Sequence, residues 1–144
     1  MNSHIASRLT RWRPALQLWL LLTLVGLHAC APAQSDSANA VRSITPQQAR
    51  EQVDRGAVLL DVRSEEEWQQ GHLQAARHVP ISRFAEQVAS LEMASNTPII
   101  LHCRSGGRAS QAAEILQDLG YSRLAVVKPG GYSELLDAGL IPAH

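Results

Sequence analysis

The chain has 144 residues and 15.7 kDa, 45% hydrophobic and 18% charged, with nine Gly and seven Pro, which fits one globular domain plus a short tail and excludes two large domains, a collagen-like repeat or a disordered polymer. Thirteen Lys+Arg balance thirteen Asp+Glu and aromatics are only 4%, so neither a basic surplus nor a base-stacking platform points to nucleic acid. The two cysteines, Cys30 and Cys103, are too few for a disulfide framework, and no Cys-x-x-Cys or His/Cys zinc spacing occurs.

Residues 1–29 read as a signal peptide. Arg8, Arg11 and Arg13 form a positive start, and Ala15 to Leu27 is an apolar run broken only by Gln17, Thr23 and Gly26. At ~1.5 Å per helical residue that run reaches roughly 20 Å, short of the ~30 Å a membrane-spanning helix must cross. No adjacent arginine pair marks the twin-arginine route, so general secretion is expected. Leu27-His28-Ala29-Cys30 resembles a bacterial lipobox, with Cys30 as the lipidated residue; the alternative is cleavage after Ala31-Pro32-Ala33, which discards Cys30. The lipobox reading implies a membrane-anchored lipoprotein of the bacterial cell envelope, facing the periplasm; the other implies a soluble periplasmic protein. Residues 30–40, rich in Ser, Ala and other polar residues, read as a flexible tether. After Cys30 the chain carries ten basic and thirteen acidic residues, a net charge of −3.

The folded domain is predicted over 41–144. Ser43–Thr45 is a short strand or the start of a helix, with Thr45 as cap, Pro46 at the first helical position and Gln48 completing a capping box; the helix runs to about Asp54 and stops at Gly56. Ala57–Val62 is an apolar run, interrupted only by Asp61, suited to a strand buried on both faces. Ser64 caps a short acidic helix, Arg77–Pro80 is a brief strand, and a helix is predicted from about Arg83 to Met93. Thr97–His102 is a second buried strand. A helix follows whose Ala109, Ala112, Ala113 and Leu116 recur on one face and whose end is marked by Gly120. Leu124–Val127 is a strand, and Gly130-Gly131 turns into a last helix ending at Gly139. Strands alternating with helices predict an α/β fold around a parallel sheet.

Ligands in such sheets bind beyond the carboxyl ends of the strands. Cys103 sits there, between a strand and a helix N-terminus. Gly106 and Gly107 can adopt positive φ, so the N–H groups from Arg104 to Arg108 can point inward as an anion nest, with the side chains of Arg104 and Arg108 adding charge. A thiol in that position ionises below its ordinary value and needs no separate base. Either arginine could equally pair with a nearby acid. His102 precedes Cys103, but neighbouring strand residues face opposite ways, which argues against a Cys-His dyad. A merely structural cysteine would not need Arg-Ser-Gly-Gly-Arg behind it.

Leu60-Asp61-Val62-Arg63 with Glu67-Trp68-Gln69-Gln70-Gly71-His72-Leu73, then Cys103 to Arg108, then Gly120-Tyr121, Gly130-Gly131 and Ala138-Gly139-Leu140-x-Pro142, resemble the motifs of single-domain rhodanese-like sulfurtransferases. The resemblance covers most of the chain after Val41. It implies the rhodanese-like fold, a central, mostly parallel five-stranded sheet with helices on both faces. It implies Cys103 as catalytic residue, Arg104, Ser105, Gly106, Gly107 and Arg108 as the substrate-binding loop, and Asp61, Arg63 and Glu67 as structural support. It also implies transfer of sulfane sulfur from thiosulfate through a Cys103 persulfide to cyanide or a thiol, with no metal or cofactor. Three departures touch packing or pocket shape: Gln74-Ala75-Ala76 where the family often has Pro-Gly-Ala, Leu135 where Trp is common, and Pro129 before the double glycine. Two other readings are weighed against it. One is a carrier or protein-binding module that takes up sulfur without turnover. The other is a Cys-dependent phosphatase or arsenate reductase, disfavoured because only four residues separate Cys103 from Arg108.

Overall fold

The structure is a computed structural model that describes residues 40–143; residues 1–29, Cys30 and nearly all of the tether lie outside it. Five strands, β1 (Arg42–Ile44), β2 (Val58–Asp61), β3 (Ala76–His78), β4 (Ile99–His102) and β5 (Leu124–Val127), form one sheet in the order β1-β5-β4-β2-β3. Every pairing is parallel, with Leu60 opposite Leu101 and Leu101 opposite Val126. The expectation of a mostly parallel sheet thus becomes an all-parallel one. β4 is buried at all four positions and so is β5, the burial that makes Ile99–Leu101 and Leu124–Val127 apolar runs rather than alternating ones.

Helices α1 (Pro46–Asp54) and α5 (Tyr132–Asp137) cover one face, where Ala49 and Leu135 join Ile44, Leu59, Ile100, Ala125 and Val127. On the other face α4 (Gly107–Asp118) lays Ala109, Ala112, Ala113 and Leu116 against Leu60, Ile99, Leu101 and Val126, with Phe84 and Val88 beside them. The alanines bring α4 close to the sheet, as their spacing requires. Leu135 is fully buried in the place the family often gives to Trp.

The capping box at Thr45 is present: Gln48 N–H donates to Thr45 Oγ1 at 3.2 Å, and Thr45 N–H donates to Gln48 Oε1 at 2.9 Å. A second box joins Ser64 and Glu67 at the start of α2 (Glu65–Gln69). The single helix predicted over 83–93 is absent. In its place are two 3-10 turns, Ile81–Arg83 and Val88–Leu91, flanking one α-helical turn, α3 (Phe84–Gln87), and the segment stops at Glu92 in the left-handed region with φ 48°. Only Phe84 and Val88 of these turns are buried, too narrow an apolar stripe to hold a regular helix on the sheet. Gln74 and Ala75 keep negative φ, so the loop that lacks the family's glycine turns without left-handed geometry.

From β2 the chain steps outward to β3, then returns past β2 to β4 and continues to β5. The reversal opens a crevice beyond the carboxyl ends of β2 and β4, where ligands settle in open parallel sheets.

Candidate active site

Cys103 follows the last residue of β4 and is 1% exposed. Its neighbour Gly106, at φ 91°, precedes α4, and the Gly106 N–H donates to Cys103 Sγ at 3.1 Å. Burial pushes the thiol's pKa up, but the amides of Ala109, Ser105, Gly106 and Arg108 outweigh it and leave the thiol below its ordinary value. Donors that point inward favour the thiolate without any countercharge having to enter the core. The cradle therefore reaches one residue further than predicted, to Ala109. Of the two glycines, only Gly106 has positive φ; Gly107 begins α4, and a Cβ there would meet nothing within 4 Å. A Cβ on Gly106 would press on Lys128 Cγ at 3.1 Å and the Val127 carbonyl at 3.3 Å.

The loop is closed from behind by Gly131 and Tyr132, which sequence reasoning did not assign to the site. A Cβ on Gly131 would lie 2.1 Å from the Cys103 carbonyl oxygen and 2.6 Å from that of Arg104, so only glycine fits. The next residue, Tyr132, donates its N–H to the Cys103 carbonyl at 3.0 Å. A double glycine after a strand was the available signal, but what it packs against is set by tertiary structure.

The two arginines of the loop part company. Arg104 is exposed and lines a cavity of about 380 Å³ with Arg63, Glu67, Gln70, Gly71, Tyr132 and Ser133. Arg108 instead makes a two-pronged ion pair with Glu67, Nη1 to Oε2 at 2.5 Å and Nη2 to Oε1 at 3.0 Å. Hydrogen bonding from Arg108 holds the Glu67 carboxyl down at about 2, and the same bond raises Arg108, with a further contribution from the Cys103 charge. Arg108 is thus the acid-paired arginine of the two. The Ser105 side chain is exposed while its amide serves the thiol.

Asp61 and Arg63 support the crevice from β2. Asp61 is fully buried and Arg63 is 5% exposed. The guanidinium donates to both carboxylate oxygens, Nε at 3.0 and 2.8 Å, with Nη2 2.7 Å from Oδ2. Nη2 also donates to the Gly71 carbonyl at 2.8 Å, and the group lies 4.0 Å above the Tyr132 ring. One planar fork thereby joins β2, the loop after α2 and α5. The α2 loop is stiffened further by Trp68, stacked between His72 and His78 at centroid distances of 3.8 and 4.6 Å.

His102 does not serve Cys103. It shares its face of β4 with Ile100, whereas Cys103 packs on the face of Leu101. His102 is fully buried, neither ring nitrogen has a hydrogen-bond partner, and Nε2 is 3.6 Å from Asp61 Oδ2. Burial lowers its pKa to about 4, so the ring is neutral near pH 7. Among the described residues no group of three or more His, Cys, Asp or Glu is placed to hold a metal ion.

A buried thiol, ringed by main-chain amides at the switch point of a parallel α/β sheet, defines a protein built to stabilise an anionic sulfur. The family model of the rhodanese-like domain matches residues 45–138, more than half of the chain, and the chain belongs to that family. It is 33% identical over 76 residues to thiosulfate sulfurtransferase PspE of Escherichia coli, a match spanning 53% of this chain and 71% of that one. It is 32% identical over 118 residues to thiosulfate sulfurtransferase 18 of Arabidopsis thaliana, spanning 73% and 85%. Among solved structures, a rhodanese-related protein of Thermoplasma volcanium superposes with a TM-score of 0.60 at 25% identity, over 71% of this chain and 97% of that one. These relatives place the chain in a sulfurtransferase family.

Proposed function

We propose that the protein is a thiosulfate sulfurtransferase with Cys103 as its catalytic residue. One observation carries the reading: the buried Cys103 thiol lies at the head of α4 and accepts the Gly106 N–H at 3.1 Å, and the neighbouring amides of Ser105, Arg108 and Ala109 add to that bond in favouring the thiolate. The Cys103 thiolate attacks the outer sulfur of thiosulfate and forms a new S–S bond. The original S–S bond breaks, and sulfite leaves with its electron pair. The Cys103 persulfide that remains is an anion, and the same amides stabilise it through electrostatic preorganisation. A thiophile, cyanide or a thiolate, then attacks the outer sulfur, and Cys103 departs as thiolate. Two sulfur transfers leave the enzyme unchanged and need no oxidant or reductant beyond donor and acceptor.

In this reading Ser105, Gly106 and Arg108 hold the ring through their backbone, and exposed Arg104 attracts the donor dianion across the adjoining cavity. Arg108 holds the loop to α2 through Glu67, while Asp61 and Arg63 brace the crevice. The test is mass spectrometry after thiosulfate treatment, with a gain of one sulfur expected on Cys103, together with steady-state transfer to cyanide. Cys103→Ser abolishes both. Labelling without steady-state turnover would assign a sulfur carrier instead, and release of phosphate from phosphate esters would assign a phosphatase.

We further propose that residues 1–29 direct the chain to the bacterial envelope and that Cys30 anchors it there by lipidation. Intact mass of the mature protein tests this: an unmodified N-terminus at Gln34 would overturn the anchor and leave the leader, and an unprocessed N-terminus would overturn both.

A further inference from the structure

Because all five strands run parallel, their amino ends share one end of the sheet, opposite the end that carries Cys103. A cavity of about 380 Å³ lies at that end, lined by Arg42, Gln52, Arg55, Ala57, Pro98 and Arg123. Three of the six are exposed arginines, and none is a carboxylate. Arg42 opens β1, Arg55 follows α1, and Arg123 immediately precedes β5. Arg55 is steadied by Glu51, whose carbonyl accepts from Nε at 2.9 Å and whose carboxylate lies 3.3 Å from Nη2. Arg123 donates to the Asn96 carbonyl at 3.5 Å, a contact that leaves its charge intact.

The charge is placed against the trend of the chain, which carries a net −3 after Cys30. An acidic body is repelled by an anionic surface except through a face on which basic groups converge. This face is also the one by which the chain arrives, since Val41 leads directly into Arg42. Only nine residues lie between Cys30 and Ala40, the first described residue, so an anchor at Cys30 would keep this end near the bilayer. Anchoring raises the local concentration of headgroups at this face, and guanidinium forks match phosphodiester oxygens in two-point geometry strong enough to hold a free domain at low salt.

We propose that the arginine cavity is a docking surface for anionic phospholipid headgroups, which seats the amino ends of the strands on the membrane and turns the Cys103 end away from it. The proposal rests on reading residues 1–29 as an envelope-directing leader and Cys30 as the anchor, but its test does not depend on either. The fold stands without the leader: both apolar clusters are built from residues within Val41–Leu140, and 71% of this chain suffices to cover 97% of the Thermoplasma neighbour.

A fragment of residues 35–144 is mixed with vesicles of phosphatidylcholine alone or with phosphatidylglycerol added, at low and high salt. Binding is expected only to the vesicles with phosphatidylglycerol, and only at low salt. R42Q/R123Q weakens it by about fivefold per arginine, whereas R77Q/R83Q, with the same loss of charge, does so far less. Both variants retain sulfur transfer. Three outcomes would overturn the proposal: no association with anionic vesicles, equal loss in the two variants, or saturable binding of inorganic phosphate without vesicle binding. Lipidation is read separately from intact mass, so an unlipidated chain whose fragment still binds leaves the surface standing and removes only the anchor.

Discussion

Cys103 and His102 are adjacent in sequence, both essentially closed to solvent, and both shifted to lower pKa, yet the shifts have opposite meanings. For the thiol a lower pKa favours charge; for the imidazole it favours neutrality. Burial alone pushes each toward its neutral form. What separates them is the face of β4 on which each side chain emerges. Cys103 looks toward the start of α4, where amides converge, whereas His102 is buried on the face of Ile100 with no hydrogen-bond partner on either nitrogen and only the Asp61 carboxylate near it, at 3.6 Å. A period of two along a strand thus places a stabilised anion and an enforced neutral ring within one residue of each other.

The largest break in this comparison is expected from Gly131→Ala. The new methyl would collide with two backbone carbonyls of the loop, which cannot rotate away as a side chain would. A loss of about 3 kcal/mol in urea unfolding is expected, with the thiol titrating closer to its ordinary value as the amides are displaced. The His102 side of β4 should keep its behaviour. A loss under ~1 kcal/mol with an unchanged thiol titration would show that the loop is not held by this contact.

How far the sequence foretold this arrangement depends on how local each cause is. Thr45, Pro46 and Gln48 specify a helix start within four residues, and the capping box stands as predicted. The apolar runs of β2 and β4 and the alanine stripe of α4 were equally legible, because burial on both faces and close packing each leave a composition that can be read. The opposed directions of His102 and Cys103 followed from strand periodicity. The partner of Arg108 did not: Glu67 is 41 residues away, and nothing local says which acid will meet which arginine. Gly131 and Tyr132 were missed for the same reason. The segment over 83–93 misled because its composition permits a helix while its two buried contacts, Phe84 and Val88, are satisfied by broken turns.

The neutral side of the comparison has its own signature in the pH dependence of stability. An unfolded chain protonates His102 below its ordinary value of 6.5, whereas the folded chain resists until about 4. Between those limits the unfolded state holds more protons, so stability is complete above pH 6.5 and declines as pH falls toward 4, by roughly 2–3 kcal/mol in total. Urea midpoints measured across that window should show the decline, and His102→Leu should flatten it. A slope that survives the substitution would place its origin elsewhere.

Glu67 sharpens the contrast at lower pH and with a smaller effect. Its folded carboxyl titrates at about 2 rather than 4.5, because Arg108 bonds to the charged form. Here too the unfolded state binds the proton first, so the stabilisation is whole above pH 4.5 and disappears as pH falls toward 2. The two side chains of the pair are 32% and 29% exposed, and solvent screening reduces the net value to about 1–2 kcal/mol. Glu67→Gln should remove that much stability at neutral pH and abolish its dependence between pH 4.5 and 2, leaving the His102 decline above it untouched. With its tether gone, Arg108 becomes free to swing, while the amides of Ser105, Gly106, Arg108 and Ala109 stay in the loop and first turn of α4. Sulfur transfer should therefore fall less than tenfold, through looser seating of the loop. A loss as complete as that of Cys103→Ser would mean that the ion pair, rather than the ring of amides, is what keeps Cys103 charged.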